Sequence, residues 1–85
     1  MRLDKFLKVS RLIKRRTIAK EVCDAGRVQI NGRPAKSAAE VELGDKISIG
    51  FGSRQLTVEV VALAENIKAN QAQDLYRVLD TTENI

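Results

Sequence analysis

The chain opens with apolar residues at helical spacing. Leu3, Phe6 and Leu7, followed by Ser10, recur at intervals of three and four, which places them on one helix face. A first helix is predicted over 3–10. Asp4, Lys5, Lys8 and Arg11 take its other arc, where Asp4 and Lys8 form an acid-before-base pair one turn apart. Leu12 and Ile13 are expected to pack where the chain turns into a second helix over 15–24. Ile18 and Val22 are the expected buried stripe of that helix, with Ala19 and Cys23 alongside and Arg16 and Lys20 roughly opposite. Gly26 is its natural stop, because glycine tolerates the left-handed conformation that ends helices.

Beyond Gly26 the period changes to two. Val28 and Ile30 alternate with Arg27 and Gln29, and Asn31-Gly32 is the favoured two-residue hairpin turn. Pro34 marks the returning strand as an edge or irregular strand, since it cannot donate to a ladder. A turn at Leu43-Gly44-Asp45 leads into a strand over 46–49 with Ile47 and Ile49 inward. Residues 50–54 read as a loop, with Phe51 tucked back onto the core. The longest strand is expected over 55–63, with Leu56, Val58, Val60 and Ala62 on one face. Residues 66–74 predict one or two helical turns, 76–79 a pairing back onto the sheet, and 80–85 a frayed tail.

Composition changes this picture mainly through charge. Eighty-five residues allow one domain with a small core. Residues 1–36 carry eleven Lys and Arg against three Asp and Glu, a balance of +8, while residues 37–85 carry four against eight, a balance of −4. Clustered cations bind polyanions and release their counterions. Arg11, Lys14, Arg15, Arg16, Lys20 and Arg27 make the densest part of this half, interrupted only by Glu21 and Asp24. Lys14, Arg15 and Arg16 fall at the start of the second helix, where cations are mildly unfavourable to the dipole but where an arriving phosphate is favoured. A charge run can simply solvate a helix face. The excess of arginine tips the reading toward nucleic acid, because guanidinium groups grip phosphate bidentately.

Other chemistry is poorly supplied. The chain has no histidine and a single cysteine, so the common general base and the usual zinc sites are absent. No glycine-rich nucleotide loop is present. No catalytic residue, metal or cofactor is therefore expected, and Cys23 reads as a small buried apolar residue. Phe6, Phe51 and Tyr76 are the only aromatics, too few for a base-stacking platform, so structured RNA is favoured over a single strand. DNA is the competing nucleic acid, but here the second helix leads at once into a hairpin, unlike a helix-turn-helix reader. The longest apolar run, 60–64, is far short of a membrane span. No signal peptide is visible at the N-terminus, and a cytoplasmic location is expected.

The ordered set Arg2-Leu3-Asp4-Lys5-Phe6-Leu7, Ser10-Arg11, Arg15-Arg16-Thr17-Ile18-Ala19, Ala25-Gly26-Arg27-Val28 and Asn31-Gly32 resembles the S-four (alpha-L) RNA-binding domain. The match covers about residues 1–50. It implies an α+β fold, with two to three short N-terminal helices packed on a small, bent, mostly antiparallel sheet. We expect that domain over 1–64 and a short C-terminal extension over 65–85. The resemblance implies an RNA face built from Arg2, Arg11, Arg15, Arg16 and Lys20 with Arg27 as a flank. The charge cluster adds Lys14, and Asp4 is expected to orient a neighbouring arginine.

A chain this short has no room for an appended enzyme and is similar to the stand-alone heat-shock protein fifteen group, especially its short RqcP-like branch. That branch implies a role in ribosome-associated quality control. The implied partners are rRNA of the large ribosomal subunit, peptidyl-tRNA stalled on it, and the alanine-tailing factor RqcH on the same subunit. A monomer is expected. A general structured-RNA-binding or ribosome-assembly protein without a tRNA role stays open as the alternative, as does a protein-interaction module whose cations are only solvated.

Overall fold

The computed structural model describes residues 1–64 and 68–83. Two helices, α1 (Leu3–Val9) and α2 (Arg16–Asp24), precede an antiparallel sheet of β1 (Val28–Ile30), β2 (Arg33–Pro34), β3 (Lys46–Phe51), β4 (Arg54–Val60) and β5 (Tyr76–Glu83). A 3-10 helix, Ala69–Leu75, leads into β5. The spatial order of the strands is β2-β1-β3-β4-β5. The α+β expectation holds.

The core lies between the helices and one face of the sheet. Leu3, Phe6 and Leu7 of α1, Ala19 and Cys23 of α2, and Val28, Ile47, Ile49 and Val58 of the strands are fully buried, with Ile13, Val41, Val60 and Leu75 almost so. Burial along α2 differs from the expected stripe. Ile18 is 44% exposed and Val22 half-buried, whereas Ala19 and Cys23 fill the seam. The small Ala19 and Cys23 join Phe6 and Leu7 of α1 in one buried core cluster.

α1 is tied down at its start. The first N–H groups of a helix have no partner within it. Here Leu3 N donates to the Ala39 carbonyl at 2.8 Å and Asp4 N to the Ser37 carbonyl at 3.2 Å, while Lys5 N donates to Asp4 Oδ1 at 2.8 Å. This docking explains why Asp4 lies buried and not on the exposed arc the sequence suggested. The segment at 37–39 covers it, and its partners are arginines in place of Lys8.

The hairpin follows its local chemistry. Asn31 and Gly32 adopt φ of 53° and 83° between Ile30 and Arg33, which pair directly. Both central residues of this turn type need positive φ. Asn31 also holds the start of β3: its Oδ1 accepts from Lys46 N at 3.0 Å, and its Nδ2 donates to Asp45 Oδ1 at 3.0 Å. Pro34 sits on the edge strand, as expected.

Two expectations for the second half are corrected. Gly50 and Phe51 continue β3, and Arg54 begins β4, because Gly52-Ser53 alone closes the turn, with Gly52 at φ 59°. Phe51 is consequently 38% exposed and not tucked inward. Residues 80–83 extend β5 along β4 where a frayed tail was expected, because the ladder to Arg54–Thr57 supplies partners for their backbone. A register shift at Thr57/Val58 leaves Leu79 as the extra residue of a bulge. The expected helical turns near 66–74 appear over Ala69–Leu75, and 65–67 and 84–85 lie outside the described residues.

Candidate nucleic-acid interface

The site is built where α1 and α2 start. Arg2 is the residue before α1, with extended backbone and a bridge to Glu40. Arg16 is the first residue of α2. The two meet on one buried carboxylate. Arg2 Nε reaches Asp4 Oδ1 and its Nη2 reaches Oδ2, both at 3.3 Å. Arg16 Nη2 reaches Asp4 Oδ1 at 3.4 Å. The Asp4 side chain is 4% exposed, whereas those of Arg2 and Arg16 are 48% and 47% exposed.

That contrast decides what the cluster can do. Charge-assisted N–H···O bonds are usually about 2.7–2.9 Å long, so these contacts orient the guanidinium groups without saturating them. Each guanidinium keeps N–H donors facing solvent. A half-exposed pair held side by side offers a planar, bidentate grip for phosphate oxygens.

The remaining predicted cations divide into three groups. Arg11, Lys14 and Arg15 are exposed on the connection between α1 and α2. Arg11 has φ of 63°, a left-handed conformation immediately after the C-cap Ser10, and its N–H closes on the Lys8 carbonyl at 3.1 Å. Lys20 is exposed one turn beyond Arg16 on α2, which puts the two on one helix face. Arg27 lies past the opposite end of α2. It shares with Glu21, Val22 and Ala25 a shallow groove of about 220 Å³, and its carbonyl accepts from Gly50 N at 2.8 Å. No contact joins it to the Asp4 cluster among those described, and it is a flank.

Sequence reasoning missed Lys36. Its Nζ donates to the Asp24 carbonyl at 3.2 Å, which brings it to the end of α2, one turn past Lys20. Nothing local in the sequence marks it, because the contact spans twelve residues. Asp24, read as an ordinary helix-end polar residue, in fact accepts from Ser37 N at 3.1 Å. Among the described residues no group of three or more His, Cys, Asp or Glu could hold a metal ion, and no helix is long and apolar enough to cross a membrane.

Comparison with known proteins places this geometry. The family model described as the S4 domain matches residues 1–47. A Bacillus subtilis protein named RQC P-site tRNA stabilizing factor is 53% identical over 79 residues, covering 93% of this chain and 92% of its own. A Haemophilus influenzae heat shock protein 15 homolog is 32% identical over 83 residues, covering 96% of this chain but 63% of its own. The solved structure of Vibrio cholerae Heat Shock Protein 15, which is trimeric, superposes with a TM-score of 0.85 at 34% identity, covering 93% of this chain and 81% of that one.

Proposed function

We propose that this chain, which belongs to the S4 domain family, serves ribosome-associated quality control by binding a large ribosomal subunit that carries stalled peptidyl-tRNA. The observation that carries the reading is the convergence of Arg2 and Arg16 on the buried Asp4. It presents two oriented, half-exposed guanidinium groups to a phosphate backbone. Arg11, Lys14, Arg15 and Lys20 extend the face, Arg27 flanks it, and Asp4 is the orienting residue. The name of the Bacillus subtilis relative supports a role at tRNA in the P site, and its identity of 53%, against 32% for the heat-shock homolog, favours that relative.

In this reading the protein contacts rRNA and tRNA together and steadies the tRNA. It thereby supports addition of alanines to the nascent chain by the tailing factor RqcH. It acts in the cytosol, as a monomer, and without catalysis of its own. Several phosphate contacts make the affinity fall steeply with salt.

The test is sedimentation of the tagged chain from a bacterial lysate through a sucrose gradient, with sequencing of the RNA it carries. Enrichment on free large subunits with bound tRNA, lost in Arg16→Ala, is expected. Recovery at the top of the gradient without RNA overturns the reading. Equal binding to naked structured RNA and to stalled subunits would instead favour a general RNA-binding role.

A further inference from the structure

Two aspartates of the basic half hold one chain segment between them, Asp4 through its backbone N–H and Asp24 through its carboxylate. Asp4 N donates to the Ser37 carbonyl at 3.2 Å, and Ser37 N donates to Asp24 Oδ1 at 3.1 Å. Ser37 is buried, pinned against the start of α1 and the end of α2. The residue before it, Lys36, is exposed and donates through Nζ to the Asp24 carbonyl at 3.2 Å. The Asp24 carboxyl is held below its ordinary pKa, first by the Ser37 N–H, then by the Ser37 side chain and, less strongly, by Lys20 and Lys36. Arg16, Lys20 and Asp24 follow one another at intervals of four along α2. They form one row on the helix surface, about 12 Å long at 1.5 Å per residue, and Lys36 stands at its end.

The bland reading of Lys36 is a cap on α2, since a cation near the last carbonyls of a helix is favourable by itself. A cap accounts for one donor of the ammonium. It leaves unexplained why the segment carrying Lys36 is anchored on both sides, once by the residue that also gathers Arg2 and Arg16.

We infer that the polyanion-binding face runs past Lys20 to Lys36, which contacts RNA phosphate, and that Asp24 is a positioning residue that keeps Lys36 in the row. This rests on the RNA-binding reading above and names the far edge of that face. Asp24 gives the inference an unusual sign. If only net charge mattered, removing this anion by any substitution would tighten binding to RNA. Positioning requires instead that Asp24→Asn and Asp24→Ala part company. Asparagine keeps an oxygen for the Ser37 N–H, and alanine does not.

The experiment titrates the labelled full-length chain with purified large ribosomal subunits carrying peptidyl-tRNA, at several salt concentrations between about 50 and 200 mM. Thermal melts confirm that each variant is folded. Lys36→Gln, which keeps a donor at an exposed site, is expected to flatten the slope of log affinity against log salt by about 0.7–0.9, one phosphate contact. Lys36→Arg is expected to keep the slope. Asp24→Asn is expected to bind at least as tightly as wild type and Asp24→Ala several-fold more weakly than Asp24→Asn. A wild-type slope for Lys36→Gln overturns the phosphate contact. Equal affinity of the two Asp24 variants overturns the positioning role. Arg16→Ala in the same series separates the levels: if it weakens binding while Lys36→Gln does not, the extension alone fails. If neither changes anything, the underlying RNA-face reading fails as well.

Discussion

Arg11 occupies a position that favours glycine, so its replacement by glycine is predicted to stabilise the fold while weakening RNA binding. Its φ of 63° follows the Ser10 C-cap, where helices commonly end on a left-handed glycine. For a residue with a Cβ, that conformation costs about 1–2 kcal/mol. Arg11→Gly removes this strain, offset by the greater freedom glycine gains in the unfolded chain, about 0.4–1 kcal/mol. The net expectation is a gain of about 0.5–1 kcal/mol, which for a domain of this size raises the melting temperature by about 2–8 °C. Arg11→Ala keeps the Cβ and is expected to show no such rise. Melting followed by far-ultraviolet circular dichroism measures the first half. Titration with large subunits over a salt series measures the second, where losing one cation should lower the slope by about 0.7–0.9. An Arg11→Gly chain that melts at or below wild type refutes the strain argument. One that melts higher and binds equally well leaves the strain real but removes Arg11 from the RNA face.

Three further perturbations follow from the core and the cluster. Asp4→Ala removes the acceptor for Lys5 N and for both arginines; it should cost about 1–3 kcal/mol in chemical denaturation and reduce subunit binding toward that of Arg16→Ala. The Cys23 thiol is pushed up to about 11 from an ordinary 9.0, first by burial and then by the charges of Asp24 and Asp4. Its contribution is therefore fully present below pH ~9 and lost as pH rises through ~11, a fall of about 2–3 kcal/mol; denaturation midpoints across that range should fall more steeply for wild type than for Cys23→Ala. Phe6 is the largest fully buried side chain, and Phe6→Ala should cost about 3–5 kcal/mol, enough in so small a domain to abolish the cooperative melt.

What could be read in the sequence was what local chemistry determines. The Asn31-Gly32 hairpin, the Gly26 stop at φ 80° and the inward Ile47 and Ile49 each follow from residues within a few positions of one another. Apart from Phe51, whose strand continues to a two-residue turn, the misreadings involve contacts between distant parts of the chain. Ile18 looked like core because it is large, but the face that α2 turns to the core carries Ala19 and Cys23. Asp4 looked exposed because it is charged, but its cover comes from Arg16 and from the backbone at 37–39. Residues 80–83 looked loose because they are polar, and only the ladder to β4 orders them. The cations were visible as a cluster. Their arrangement around Asp4 depends on how α1 and α2 pack.

That arrangement bears on how so small a domain tolerates its charge. A balance of +8 in the first 36 residues repels itself in the folded state, where the cations are closer than in the open chain. Scattering carboxylates among them would relieve the repulsion but would also repel phosphate. The fold separates these two effects by depth. Asp4 is 4% exposed beneath two guanidinium groups that are about half exposed, so it attracts both arginines at short range while they stand between it and any RNA outside. The exposed Asp24 carboxylate is offset differently, by the Ser37 N–H it accepts and by Lys20 and Lys36 nearby. Solvent-exposed ion pairs contribute little to stability, whereas breaking a buried pair leaves a charge without compensation. The carboxylate at Asp4 is therefore the group whose loss the fold should feel most, and the arginines above it are the groups whose loss the RNA should feel most.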